Sequence, residues 1–139
     1  MAIRIPRILI TDDDQGFREI LRGLLERHGY ATLEADSGER ALEIVRREAV
    51  HLLLLDMYMP KLTGLETIRR VKQMRAVLPC ILMSADADEQ LVRQADSVQA
   101  FSVLSKPMSA STVTQAIRNA MSRAYNWPNG DLPDLATPS

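Results

Sequence analysis

Four consecutive leucines, Leu52, Leu53, Leu54 and Leu55, run straight into Asp56, and Pro60 stands four residues beyond it. No polar residue interrupts the run, so it reads as a strand covered on both faces. That is the pattern of a parallel sheet held between two helical layers. Pro60 forbids the strand from continuing. Open α/β sheets collect ligands outside the carboxyl ends of their strands, so a lone aspartate at such an end is a candidate for chemistry.

The rest of the chain alternates between short apolar runs and amphipathic stretches. Residues 7–11 are apolar and stop at Asp12, Asp13 and Asp14; behind them Phe17, Ile20, Leu21, Leu24 and Leu25 recur at helical spacing up to Gly29. Residues 30–35 suit a second strand. Ser37 is a ready N-cap for a helix carrying Ala41, Leu42, Ile44, Val45 and Ala49 inward. After the Asp56 loop, a helix is predicted from Gly64, with Leu65, Ile68, Val71 and Met74 inward. Pro79 marks the next boundary and residues 80–84 form a fourth strand. Residues 88–98 follow as a helix with Leu91, Val92, Ala95 and Val98 on one face. Residues 100–104 read as a fifth strand, ended by Lys106 and Pro107. Ser109 caps a last helix bearing Val113, Ala116, Ile117, Ala120, Met121 and Ala124. Five βα units in succession imply right-handed crossovers and a doubly wound α/β domain with a five-stranded parallel sheet.

At 139 residues the chain is long enough for one domain with a real core. The expected domain covers residues 1–125. Residues 126–139 hold three of the seven prolines and no periodicity, so a disordered tail is expected beyond Trp127. A net charge of −1 offers no footprint for nucleic acid or an anionic membrane. No apolar run approaches the ~20 residues of a membrane span. The N-terminus lacks the apolar core of a signal peptide. Cys80, the single cysteine, excludes an internal disulfide and fits a reducing cytoplasm. It lies in an apolar run, where a buried, inert thiol is expected.

Polar groups stand at four of the five strand ends: Asp12 and Asp13 after the first, Asp56 after the third, Ser84 after the fourth and Lys106 after the fifth. Converging carboxylates repel one another, so a cation belongs among them. A few hard oxygen ligands with room for water suit Mg2+ better than zinc or copper, and such a metal completes its shell with phosphate oxygens. Ser84 adds a hydroxyl donor and Lys106 a point charge for the same anion. A carboxylate beside that clamp has the means to form an acyl phosphate. Each residue alone has a plainer reading, the aspartates as a helix N-terminus and Lys106 as a surface lysine. His28 and His51 lack partners at metal-ligand spacing and read as structural.

The segments around Asp12 and Asp13, around Asp56 with Pro60 and Gly64, around Ser84, and Lys106-Pro107 together resemble the receiver domain of two-component response regulators, of the single-domain, chemotaxis-regulator-like type. The resemblance runs from about residue 7 to residue 123. It implies a flavodoxin-like sheet of strand order 2-1-3-4-5. It implies Asp56 as the phosphoacceptor, charged by a sensor histidine kinase or a histidine phosphotransfer protein. Mg2+ (or Mn2+) would be held by Asp12, Asp13, Asp56 and the backbone carbonyl of Tyr58. Lys106 would contact the phosphoryl group, with a cis bond to Pro107, and the Ser84 hydroxyl would swing toward it. The face of helix four, strand five and helix five would then be remodelled for a downstream protein. No nucleic-acid binding, membrane insertion or enzymatic activity beyond self-catalysed phosphorylation and dephosphorylation is implied.

Some positions depart from the family. Val103 stands where Tyr or Phe is usual, with Phe101, expected on the same strand face, as a candidate substitute. Gln99 replaces a frequent glycine before the fifth strand. Tyr58 and Asp86 occupy the positions that tune phosphate lifetime. Two other readings compete: a receiver-like interaction module that never takes phosphate, and a phosphatase of the haloacid-dehalogenase type using Asp12-Asp13-Asp14. That phosphatase family has Thr or Val where Gly16 stands, and it normally adds a cap domain for which a chain this short has no room.

Overall fold

The computed structural model describes residues 5–133. Five strands and five helices alternate: β1 (Arg7–Thr11), α1 (Gln15–Arg27), β2 (Ala31–Ala35), α2 (Gly38–Arg47), β3 (Leu52–Asp56), α3 (Gly64–Met74), β4 (Cys80–Ser84), α4 (Glu89–Ser97), β5 (Ser102–Ser105) and α5 (Ala110–Tyr125). The strands form one parallel sheet in the order β2-β1-β3-β4-β5. β3 sits at its centre, and the four leucines divide between its faces. Leu53 and Leu55 point into a layer with Leu9, Val45, Ile68 and Leu91. Leu52 and Leu54 point into a layer with Ile8, Leu25, Ile117 and Met121. All four are fully buried, each contributing about 1.5–3 kcal/mol of hydrophobic stabilisation.

Local chemistry starts each helix. Asp14, Ser37, Thr63, Asp88 and Ser109 occupy the N-caps, each side chain accepting a backbone N–H three residues on. Thr63 and Glu66 form a reciprocal capping box. Gly29 ends α1 with φ of 88°, a conformation that is cheap only for glycine. Gln99 keeps the left-handed turn before β5, at φ 64°, despite a Cβ cost of about 1–2 kcal/mol.

Helical faces are narrower than their apolar residues suggest. Ile20 is 70% exposed, Val92 49% and Met74 37%. Leu91 and Ala95 already fill the α4 stripe, and Val92 lies about 100° around the helix from Leu91. At α3, Thr67 is buried instead, its hydroxyl satisfied by the Thr63 carbonyl. β5 begins two residues later than the apolar pattern suggests. Phe101 and Val103 consequently lie on opposite layers: Phe101 packs toward α1 and α5, Val103 toward α4. The two-residue period holds only within a strand, and Phe101 sits in the bend before one.

The expectation of a disordered tail is corrected for residues 128–133; residues 134–139 lie outside the described residues. Asn126 ends α5 in the left-handed conformation. The chain then folds back beneath the amino ends of the strands. Leu132 is buried and Trp127 lies 6.1 Å from Tyr30, ring to ring. His51, fully buried, holds the segment. Its Nδ1 accepts the Arg7 N–H at 3.0 Å, which makes Nε2 the protonated nitrogen, and Nε2 donates to the Pro133 carbonyl at 2.9 Å. The Tyr125 hydroxyl donates to the His51 carbonyl at 2.7 Å. His51 is structural as expected. His28 is likewise bonded locally, Nδ1 to the Leu24 carbonyl.

Candidate functional site

Side chains from the carboxyl ends of β1, β3 and β5 converge over the middle of the sheet, Lys106 reaching across from the edge strand. Asp56 terminates β3 and is 7% exposed. Beyond it the Met57 N–H donates to the Met83 carbonyl, while the Met57 carbonyl accepts the Gly64 N–H. This turn admits only glycine at position 64. A Cβ there would stand 2.5 Å from the Asp56 carbonyl oxygen and 2.6 Å from Leu82 Cδ1. The Gly64 of the motif is thus a requirement of close packing beside Asp56.

Asp12 follows β1 and is almost completely buried. Its backbone N–H donates to the Ala35 carbonyl, and its own carbonyl accepts the Arg18 guanidinium at 2.6 Å. One carboxylate oxygen accepts the Asp14 N–H and the other accepts Lys106, both at 2.9 Å. Asp13 is exposed at the rim. Ligand oxygens of Asp12, Asp13 and Asp56 all lie within 4.8 Å of one another. The plainer reading of the acidic triplet holds for Asp14 alone: its carboxylate caps α1 by accepting the Phe17 N–H, so the Asp12-Asp13-Asp14 stretch does not place its first and third residues in one site.

Lys106 reaches into this cluster from the end of β5. Its Nζ lies 2.9 Å from Asp12 Oδ2 and 2.9 Å from Asp56 Oδ1. Its backbone N–H donates to the Ser84 carbonyl at 2.8 Å, and the Lys106–Pro107 bond is cis. Ser84 is fully buried, and its hydroxyl accepts the Asp86 N–H at 3.0 Å. It therefore ties the β4–α4 loop to the same strand end. Tyr58 and Asp86 are exposed beside the site, and Val103 is half-buried one layer below. Phe101 does not join them, lying at the opposite end of β5.

Burial pushes the Asp56 carboxyl above its ordinary range; Lys106 pulls it back, and the charges of Asp12 and Asp13 push it up again. For Lys106, burial disfavours the ammonium, but the hydrogen bonds and charges of Asp12 and Asp56 outweigh it and raise its pKa. Cys80, buried in the core, has its thiol pushed up to about 12 by desolvation and is inert as expected.

Three carboxylates against one ammonium leave two negative charges uncompensated within the cluster. A hard divalent cation of the Mg2+ type matches that deficit and that oxygen donor set. Sequence reasoning did not find Phe17 at this site, since its spacing marks it as a core residue of α1. Its ring in fact lies beneath the ammonium, 4.2 Å from Lys106 Nζ to the centroid. The signal available was position: the first turn of α1 leaves the same strand end as the aspartates.

Residues 8–118 match the family model described as the response regulator receiver domain. The chain is 31% identical over 112 residues to sporulation initiation phosphotransferase F of Bacillus subtilis, covering 81% of this chain and 90% of that protein. Against the transcriptional regulatory protein ZraR of Escherichia coli the identity is 29% over 86% of this chain, which spans only 27% of that longer protein. Among solved structures, a response regulator receiver domain protein from Clostridium thermocellum superposes with a TM-score of 0.81 at 30% identity, over 86% of this chain and 96% of the other.

Proposed function

The chain belongs to the response regulator receiver family, and from that membership we propose that Asp56 is the residue through which it accepts a phosphoryl group in two-component signalling. The observation that carries the assignment is the pincer on Lys106. One ammonium bridges Asp12 and Asp56, two carboxylates that strands 44 positions apart bring together. In the transfer, an Asp56 carboxylate oxygen attacks phosphorus. The bond from phosphorus to the donor's imidazole nitrogen breaks, and that nitrogen keeps the electron pair. Such transfer needs mainly positioning and charge neutralisation, and Lys106 provides both at the Asp56 oxygen. Mg2+ held by Asp12, Asp13 and Asp56, with the Tyr58 carbonyl, would supply the remaining neutralisation at the transferring oxygens.

The Ser84 hydroxyl is assigned as the switch group, because it is bonded to the loop that enters α4. A change of its partner re-aims that loop, and the surface of α4, β5 and α5 changes with it. With Val103 in place of a ring, that surface reads out through packing against α4 rather than through an aromatic rotamer. The donor is a sensor histidine kinase or a histidine phosphotransfer protein, and the acceptor of the signal is a downstream protein on that surface. The chain itself catalyses only its own phosphorylation and dephosphorylation. Among the described residues no helix is long and apolar enough to cross a membrane. Action in the cytoplasm is part of the same proposal.

The test is intact mass after incubation with acetyl phosphate and Mg2+. One phosphoryl adduct is expected, lost with EDTA and lost in Asp56→Ala. An adduct that survives Asp56→Ala would overturn the assignment. No adduct and no response to beryllofluoride in the native protein would favour a receiver-like module that works without phosphate.

A further inference from the structure

We propose that Phe17 is a positioning residue for Lys106, its ring face acting as the fixed seat of the ammonium during phosphoryl transfer; this rests on the reading of Asp56 as phosphoacceptor. Lys106 sits on a flexible four-carbon stem and keeps 23% of its side-chain exposure. It needs several contacts to stay aimed. Two of them are Asp12 and Asp56, each 2.9 Å away, and both alter during the reaction: Asp56 becomes the acyl phosphate, and Asp12 is a candidate metal ligand. The third contact is the Phe17 ring, 4.2 Å from Nζ to centroid, well inside the ~6 Å reach of a cation–π attraction. A phenyl ring neither titrates, nor ligates a metal, nor accepts phosphorus. It alone is unchanged from start to finish.

The ring is itself held from the site. The Asp14 N–H donates to Asp12, the Asp14 carboxylate accepts the Phe17 N–H, and the Phe17 ring carries Lys106, which returns to Asp12. Four residues thus close a circuit of contacts, with the α1 N-cap as one of its links. The ring also packs into the buried layer of α1 and α5, so it cannot follow the ammonium if Lys106 moves. Its face attracts the cation without competing with the phosphoryl oxygens for the ammonium's hydrogen bonds, as a third carboxylate would.

The test replaces Phe17 by a series of ring-fluorinated phenylalanines, which keep the shape and progressively cancel the negative face, alongside Phe17→Tyr and Phe17→Leu. Phosphorylation rate with acetyl phosphate at saturating Mg2+ and apparent affinity for beryllofluoride are read on proteins shown folded by thermal melting. A stepwise fall is expected along the fluorinated series, reaching about three- to tenfold at full substitution. Phe17→Leu should match the fully fluorinated protein and Phe17→Tyr the native one, while Mg2+ affinity by calorimetry moves less than about twofold. A native adduct with a flat fluorinated series overturns this inference alone. No adduct in the native protein overturns the receiver reading, and this inference with it.

Discussion

The two ends of the sheet bury polar side chains in different ways. At the amino end, His51 and Tyr125 are neutral and mutually satisfied: each His51 nitrogen has a backbone partner and the Tyr125 hydroxyl has its own. At the carboxyl end, Asp12 and Asp56 are buried with one ammonium between them and a third carboxylate at the rim. The first arrangement is complete without any ligand. The second carries an excess of like charge, which burial makes costly. Complete pairing marks structure, and a buried charge deficit marks a site. The C-terminal segment strengthens the contrast, because it covers the amino end and leaves the carboxyl end open.

The largest separation between the two ends should come from Asp56→Asn set beside His51→Ala. Asp56→Asn is expected to abolish the phosphoryl adduct by intact mass while circular dichroism stays native. His51→Ala is expected to retain the adduct and to lower stability by about 3 kcal/mol in urea unfolding, since it leaves the Arg7 N–H without its acceptor and opens a cavity. Loss of the adduct in His51→Ala under folding conditions would mean the ends are coupled and the contrast is false. Removing residues 127–139 should cost about 2 kcal/mol through lost burial of Leu132, Tyr30 and Trp127, with the phosphorylation rate unchanged.

Magnesium sharpens the other end. Millimolar Mg2+ should raise the melting temperature of the native protein by mass action. Asp13→Asn should shrink that rise and should itself melt slightly higher in EDTA, because it removes one of the like charges crowding Asp56. An equal rise in both proteins would place the metal elsewhere.

The smallest effect concerns Tyr125. Burial, foremost, pushes its phenol well above the ordinary value; the Cys80 charge adds to the push and Arg75 opposes it. A raised folded value means the fold favours the protonated phenol. That stabilisation is fully present below the unfolded value near 10 and is lost as pH rises through the folded one. Urea midpoints should therefore fall above about pH 10, and Tyr125→Phe should show a shallower fall. The same variant should cost about 1 kcal/mol at pH 8 through the lost bond to the His51 carbonyl. An identical alkaline decline in both proteins would assign it to Tyr30 or Cys80 instead.

The order of strands and helices, the caps at Ser37 and Ser109, and the identities of Asp12, Asp13, Asp56 and Lys106 were all legible in the chain. Each rests on residues within one turn or one strand, where period, capping chemistry and a halting proline act locally. Contacts between distant segments were not legible. The exposure of Ile20 and Val92 depended on how wide a stripe each neighbouring layer could cover. The face of Phe101 depended on where β5 began pairing with β4. Trp127 and Leu132 fall in a stretch that reads as a proline-rich tail, and only the apolar ledge around Tyr30 buries Leu132 and packs Trp127 against it.

By itself, then, the amino-acid sequence determined the alternation of elements, the central buried strand and the set of charged residues at its rim, because periodicity and strand-end position are properties of neighbouring residues. The tertiary structure decided that Lys106 bridges Asp12 and Asp56, that Phe17 lies beneath its ammonium, and that the C-terminal segment docks through Pro133 on His51. Those contacts join residues up to 94 positions apart. Their distances follow from sheet order and layer packing, which no local pattern encodes.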